Sequence, residues 1–262
     1  MLFYMLQKYP NIKRAIINDI NPHLIKTYSV IRDQPYSLID NLNEIQTSFK
    51  TLGDYDKQKD LYLDIRHQFN HQHLSDVDKA TYMIFLNRTC FNGLYRENSK
   101  GQFNVPFGRY SNPKICDEDL LLADSAILQK VEILNGDFSH TAEHIQGHTF
   151  FYFDPPYRPL DATSSFNSYV KESFDDDEQI RLKKFYTDLT GEGCLAMLSN
   201  SDCKGRNVED DFFDKLYEDF FIERVYAKRC INANASKRGT LTELLIRNYE
   251  HYQGEPANLF NI

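Results

Sequence analysis

No apolar run in the 262-residue chain approaches the ~20 residues that a membrane span requires. No charged start, apolar core and small-residue cleavage site opens the sequence, so nothing marks it for secretion. Cysteine is sparse and scattered: Cys90, Cys116, Cys194, Cys203 and Cys230 are odd in number and form no C-x-x-C pair. That argues against a disulfide framework and against a zinc site, and it suits a reducing cytoplasm. There is no internal repeat and no low-complexity linker. Hydrophobic residues make up 41% and charged residues 26%, the balance of an ordinary globular protein. The net charge of −8 does not favour a nucleic-acid binder as a total, so local patches decide that question.

The most informative stretch is Asp154-Pro155-Pro156-Tyr157. It follows Phe150, Phe151, Tyr152 and Phe153, an aromatic run that reads as a buried strand. Two prolines end that strand, because proline lacks the N–H a ladder needs. A carboxylate, a stiff turn with free carbonyls and an aromatic ring are then left at a strand's carboxyl end, where open α/β sheets bind ligands. A planar substrate with an amino group suits this set. Asp154 and a proline carbonyl can accept its N–H bonds, and Tyr157 can stack on its face. The plainer alternative is a strand followed by a Pro-Pro turn.

Residues 1–9 carry an apolar helical face, and Lys13–Ile17 reads as a strand ending at Asn18-Asp19-Ile20-Asn21-Pro22. Asp19 is a candidate for binding ribose hydroxyls, or else a helix cap. Four helices follow, over His23–Ile31, Tyr36–Phe49, Gln58–Phe69 and Asp76–Leu86, with Gly53-Asp54 as a break. His67, His71 and His73 read as a solvated helix end, since no carboxylate or cysteine joins them at ligand spacing. Between Arg88 and Lys114 there are five Lys or Arg and one acidic residue, Glu97, interleaved with aromatics and Asn. Arginine reads guanine edges, Asn reads adenine or phosphate, and aromatics wedge or stack. This stretch is read as a nucleic-acid contact. A helix over Asp117–Leu128 and a strand over Val131–Leu134 lead to Gly136-Asp137-Phe138, an acid and a ring that could hold an adenine. Arg158–Ser173 reads as a mobile loop, and Asp175–Glu178 opens a helix at its positive end. Cys194–Leu198 reads as a strand ending in Ser199-Asn200-Ser201-Asp202. Phe221–Tyr226 and Leu241–Arg247 are two last strands. The basic loop Cys230–Arg238 between them suits phosphate, and residues 251–262 read as a tail.

Several of these segments together resemble the Dam family of DNA adenine methyltransferases, including the modification enzymes of GATC-type restriction systems. They are Asn18-Asp19-Ile20-Asn21, Phe91-Asn92-Gly93-Leu94-Tyr95-Arg96, Phe103-Asn104-Val105-Pro106-Phe107-Gly108-Arg109-Tyr110, Asp154–Tyr157, Ser199–Asp202 and Glu243-Leu244-Leu245. The resemblance spans roughly residues 1–249. It implies an α/β, Rossmann-like methyltransferase sheet with an inserted, mostly helical target-recognition domain. The catalytic domain is expected over 1–30 and 120–262, and target recognition over 31–119. In the family a Gly-Gly-Lys segment and a first strand with a Phe-x-Gly-Gly loop precede the apolar helix. Neither occurs here, so the expectation is a truncated protein, a mis-set start or a fragment, with the first strand missing and cofactor binding weakened.

The resemblance further implies S-adenosylmethionine as methyl donor and the adenine of GATC in double-stranded DNA, flipped out of the helix, as acceptor. Catalysis is assigned to Asp154, Pro155, Pro156 and Tyr157, and cofactor binding to Asp19, Asp137, Phe138 and Asp154. DNA contacts are assigned to Arg88, Phe91, Asn92, Leu94, Arg96, Asn104, Pro106, Arg109, Lys237 and Arg238. Leu94, Arg96 and Pro106 match family positions that touch the third and fourth base pairs. A monomer is expected, without metal or membrane, encoded by a bacterium, phage or plasmid and associated with the nucleoid. A cognate restriction endonuclease, if there is one, is not expected in physical contact. Two alternatives stay open: an inactive DNA-binding remnant, and a methyltransferase acting on RNA or protein.

Overall fold

The computed structural model describes residues 1–160, 174–227 and 241–250. The chain divides into two compact units, Met1–Thr141 and Ala142–Ile262.

The first unit opens with α1 (Leu2–Lys8) and β1 (Ala15–Asp19), as the sequence predicts. Helix α2 (Pro22–Asp33) starts where Pro22 fixes the first-turn φ and the Asn21 side chain accepts from the N–H groups of His23 and Leu24. The cap is thus Asn21 rather than Asp19. Helix α3 (Pro35–Leu52) stops at Gly53, whose φ of 61° is costly for a residue with a Cβ. One residue later, Asp54 begins α4 (Tyr55–His71) by accepting from the N–H groups of Asp56 and Lys57. Ser75 caps α5 (Asp76–Thr89), and α6 (Glu118–Leu128) leads into β2 (Val131–Asn135). Strands β1 and β2 pair in parallel from Ala15↔Val131 to Asp19↔Asn135. The helices of the 31–119 segment share one apolar core with this pair. Leu38, Leu42, Phe49, Tyr62, Phe69 and Phe85 cluster with Ala15, Val30 and Val131.

The second unit is a four-stranded sheet in the order β3-β4-β6-β5. The strands are β3 (Phe150–Phe153), β4 (Leu195–Ser201), β5 (Phe221–Ala227) and β6 (Leu241–Arg247). β3 runs parallel to β4, while β6 is antiparallel to both β4 and β5. Helix α7 (Asp176–Gly191) is the crossover between β3 and β4. Asp175 caps it, and three acids in its first turn suit the dipole. The Tyr186 hydroxyl, fully buried, ties α7 to the sheet by donating to the Ala196 carbonyl at 2.7 Å. Two short helices the sequence did not signal, α8 (Cys203–Arg206) and α9 (Phe212–Leu216), follow β4.

One boundary differs in a way that matters. The sequence predicts a strand over Cys194–Leu198 that ends in Ser199-Asn200-Ser201-Asp202. The strand instead runs to Ser201, because β6 continues the ladder through Ser199↔Leu245, Asn200↔Leu244 and Ser201↔Glu243. These polar side chains are therefore buried rather than solvated.

Candidate functional site

The turn after β3 is held from beneath by two buried amides. Asn200 Oδ1 accepts from the Arg158 backbone N–H at 3.0 Å. Asn200 Nδ2 donates to Gln179 Oε1 at 3.2 Å, and Gln179 Nε2 donates to the Pro156 carbonyl at 3.1 Å. Both side chains are fully buried. Low dielectric strengthens such a chain of bonds and makes breaking it costly. Arg158, expected to begin a loose loop, is instead fixed. Its guanidinium pairs with Asp176 and with Asp210, each at 2.7 Å, and lies over the Phe212 ring at 4.6 Å. These partners, above all Asp176, push its pKa still higher.

On this clamped turn Asp154 is exposed. Ser199 Oγ donates to Asp154 Oδ1 at 3.2 Å, with the Tyr152 hydroxyl 3.0 Å from the same Oγ. The two proline carbonyls are not equivalent. That of Pro156 is taken by Gln179, whereas no partner falls on that of Pro155 among the described residues. Tyr157 is partly buried, and burial raises the pKa of its phenol. The charges of Asp154 and Glu243 add to the rise, and a hydrogen bond from Ser199 opposes it. The arrangement offers a carboxylate, an open carbonyl and a phenol ring at a rigid strand end. It can accept two N–H bonds from a flat amino-bearing ring.

In the first unit, parallel pairing puts the carboxyl ends of β1 and β2 side by side. The ends are laced together. Asn135 Nδ2 donates to the Asp19 carbonyl at 2.8 Å, and Asn18 Nδ2 donates to the Gly136 carbonyl at 3.0 Å. Asp19 Oδ1 accepts the Asn21 N–H at 2.7 Å, and its other oxygen has no partner among the described residues. Asp137 Oδ1 accepts from the N–H and the hydroxyl of Ser139 at 2.9 and 2.5 Å, with Phe138 partly buried between them in sequence. Carboxylates in this setting suit the hydroxyls of a ribose, and the Phe138 ring suits a flat base.

The basic segment is built on α4 and α5. From Phe103 to Phe107 the chain alternates, with Phe103 and Val105 buried and Asn104 and Pro106 less so. The carbonyl of Val105 accepts from the Tyr62 hydroxyl at 2.8 Å and from Arg66 at 3.0 Å, while Asn70 exchanges hydrogen bonds with the Phe103 backbone. Gly108 lies against the end of α5, where an added Cβ would come 2.8 Å from the Cys90 carbonyl oxygen and 2.9 Å from that of Thr89. Asn92 takes φ 57° and Gly93 φ 61°, a doubly left-handed turn that lifts Phe91, Asn92 and Leu94 into solvent. Arg96 Nε donates to Asn104 Oδ1 at 2.7 Å and its Nη2 to the Asn104 carbonyl at 3.4 Å, and the side chain is exposed. Arg88, Pro106 and Arg109 are exposed.

Within the first unit, then, Asp19 pairs across the strand ends with Asn135, two residues before Asp137, and Arg88, Phe91, Asn92, Leu94, Arg96, Pro106 and Arg109 are all exposed. Within the second, Asp154–Tyr157 meets Ser199. Lys237 and Arg238, with the rest of the basic loop around them, lie outside the described residues. So does most of the 158–173 stretch. His67, His71 and His73 are exposed at the end of α4. Among the described residues no grouping of His, Cys, Asp and Glu could hold a metal ion, and no helix is long and apolar enough to cross a membrane. Sequence reading missed Gln179 and the role of Arg158, because a glutamine inside a helix carries no local signal of its distant partner.

Comparison with known proteins agrees with this chemistry. Residues 1–231 match the model of the D12 class N6 adenine-specific DNA methyltransferases. The chain is 49% identical to the type II methyltransferase M.MjaIII of Methanocaldococcus jannaschii, over 95% of this chain and 84% of that protein. It is 39% identical to the type II methyltransferase M1.LlaDCHI of Lactococcus lactis subsp. cremoris, over 90% and 80%. With a DNA adenine methylase of Vibrio cholerae the identity is 33%, over 89% and 79%. The chain belongs to the D12 class of N6 adenine-specific DNA methyltransferases.

Proposed function

We propose that this D12-class chain methylates N6 of the adenine in GATC, in double-stranded DNA, with S-adenosylmethionine as donor and the target base flipped out of the helix. The observation that carries the reading is the clamped turn with Asp154 exposed and the Pro155 carbonyl open. The amino group of adenine is a poor nucleophile because its lone pair is delocalised into the ring. Two acceptors aimed at its two N–H bonds draw the nitrogen toward tetrahedral geometry and localise that pair. Asp154 and the Pro155 carbonyl are those acceptors, and Tyr157 stacks on the ring. A base inside a duplex cannot reach such a turn, so it has to leave the stack, at a cost of a few kcal/mol.

The donor set at the β1 and β2 ends fits the cofactor. The open oxygen of Asp19 accepts from ribose hydroxyls, and Asp137 with Phe138 receives the adenine moiety. When bound, S-adenosylmethionine supplies a methyl group on a sulfonium, already a good leaving group. Asp154 therefore need not be a strong base, and the proton on N6 departs after the methyl arrives. Residues 31–119 do the reading. Arg96, steadied by Asn104, makes a bidentate guanine contact, with Leu94 and Pro106 on neighbouring bases, while Arg88 and Arg109 hold phosphates. Phe91 and Asn92, lifted by the left-handed turn, fill or pry the stack.

Asp154→Ala is the test. It is expected to abolish methyl transfer from labelled cofactor while leaving DNA binding intact. Near-normal turnover in this variant removes the proposal for residues 154–157, and a methylation map on a motif other than GATC removes the specificity.

A further inference from the structure

Beside the recognition segment lies an open cleft of about 540 Å³, lined by Phe49, Lys50, Tyr55, Arg109, Tyr110 and Asn112 among others. Its floor is rigid. Tyr55 rests on Phe107 with ring centroids 5.4 Å apart, and Phe107 in turn packs on Phe49, which is fully buried. Its rim is exposed: Lys50 and Arg109 face solvent, and Tyr55 and Tyr110 are 45% and 42% exposed. No carboxylate lines it. Two acids flank Tyr55 in sequence: Asp54 is turned onto the start of α4, where it accepts the N–H groups of Asp56 and Lys57, and Asp56 lies in the first turn of that helix. An aromatic-walled cleft whose two charged lining residues, Lys50 and Arg109, are both cationic stands out in a chain of net charge −8. Charge complementarity selects a polyanion that Lys and Arg can pair with and that tyrosine hydroxyls can hydrogen-bond.

The position of the cleft says which part of a polyanion. Asn104, which steadies the base-reading Arg96, lies five residues before Arg109. An extended chain of that length covers at most ~17 Å, or about five base pairs of duplex at ~3.4 Å each. We propose that this cleft seats the sugar-phosphate backbone of duplex flanking the target, with Lys50 and Arg109 on phosphates and Tyr55 and Tyr110 against the sugar-phosphate edge. The inference rests on the DNA-methylating function proposed above and adds Lys50, Tyr55 and Tyr110 to it. Such contacts carry no sequence information. They add affinity wherever the flanks are long enough to reach the cleft.

Fluorescence anisotropy on the whole chain tests this with two DNAs, a hairpin duplex barely longer than the target and a duplex extended by about two helical turns. Lys50→Ala removes one surface charge and is expected to keep the wild-type melting temperature. It should weaken the long duplex about three- to tenfold, target and non-target alike, and reduce the salt slope by about 0.9. The short hairpin should bind unchanged, and Lys50→Arg should restore the long duplex. Unchanged affinity for the long duplex overturns the inference, and so does an equal loss on both lengths or a loss confined to target DNA. Arg96→Ala, measured alongside, separates the two levels. If it relaxes specificity while Lys50→Ala changes nothing, only the cleft falls. If neither variant changes binding, the DNA reading falls with it.

Discussion

Replacing Gln179 with methionine is the sharpest probe of how the turn at 154–158 is held. Methionine has nearly the same volume and no polar amide, so packing around α7 is conserved while two hydrogen bonds go. The Pro156 carbonyl loses its donor at 3.1 Å, and Asn200 Nδ2 loses its acceptor at 3.2 Å. Asn200 is fully buried, so water has no ready access to its orphaned amide, whereas Pro156 is exposed and its carbonyl can turn to water. The unsatisfied Asn200 amide costs about 1–3 kcal/mol and the lost bond to the Pro156 carbonyl about 0.5–1.5 kcal/mol, about 1.5–4.5 kcal/mol together. That is a large share of the ~5–15 kcal/mol that holds a typical domain together. Urea unfolding followed by circular dichroism reads it as a lower midpoint at an unchanged slope. Under conditions where the variant is still folded, the freed turn should lower kcat by about tenfold or more, since positioning is what the turn contributes. DNA affinity should hold. A Gln179→Met protein that unfolds within ~0.5 kcal/mol of the parent, the ordinary range for inert surface changes, would refute the clamp.

Three further outcomes are expected. Gly108→Ala forces a Cβ to within 2.8 and 2.9 Å of two backbone oxygens at the end of α5. It should cost roughly 1–3 kcal/mol and weaken DNA binding, as thermal melts and anisotropy would show; a neutral substitution contradicts the packing of 103–110 on that helix. Arg96→Ala should relax sequence discrimination by ~1–3 kcal/mol, whereas Arg109→Ala should weaken long target and scrambled duplexes alike, a contrast that methylation mapping and binding to scrambled DNA can check. Burial beside Phe69, with the Lys79 charge adding to it, lowers the His23 pKa below its ordinary value. The folded state then binds fewer protons than the unfolded state between the two pKa values, and stability rises with pH there. His23 thus contributes stability above the ordinary imidazole pKa of ~6.5 that is lost as pH falls through its folded pKa. His23→Gln should flatten that part of a melting-temperature profile, and an identical profile in the variant removes the assignment.

Local rules decided much of this protein before any tertiary contact was known. The helices of the first unit follow from apolar periodicity and from the stop and start signals Gly53-Asp54 and Asn21-Pro22, which act within a turn or two of themselves. The strand Phe150–Phe153 and its abrupt end follow from an aromatic run and two prolines without N–H groups. The residue types at 91–110, arginine, asparagine and aromatics crowded into an otherwise acidic chain, are the basis on which that segment is proposed as a nucleic-acid contact. Other features lay beyond sequence reading, because they depend on partners far along the chain. The strand reading stopped at Leu198, and only β6, more than forty residues on, carries the ladder through Ser199–Ser201 and buries them. Arg158 looked mobile until Asp176 and Asp210 closed on it from two other segments. The two prolines of the turn are chemically alike in sequence, and Gln179, reaching across from α7, engages one carbonyl while the other has no partner among the described residues. Caps, periods and breakers are written in neighbouring residues. A hydrogen bond between residues 156 and 179 exists only once packing has brought its two ends to 3.1 Å.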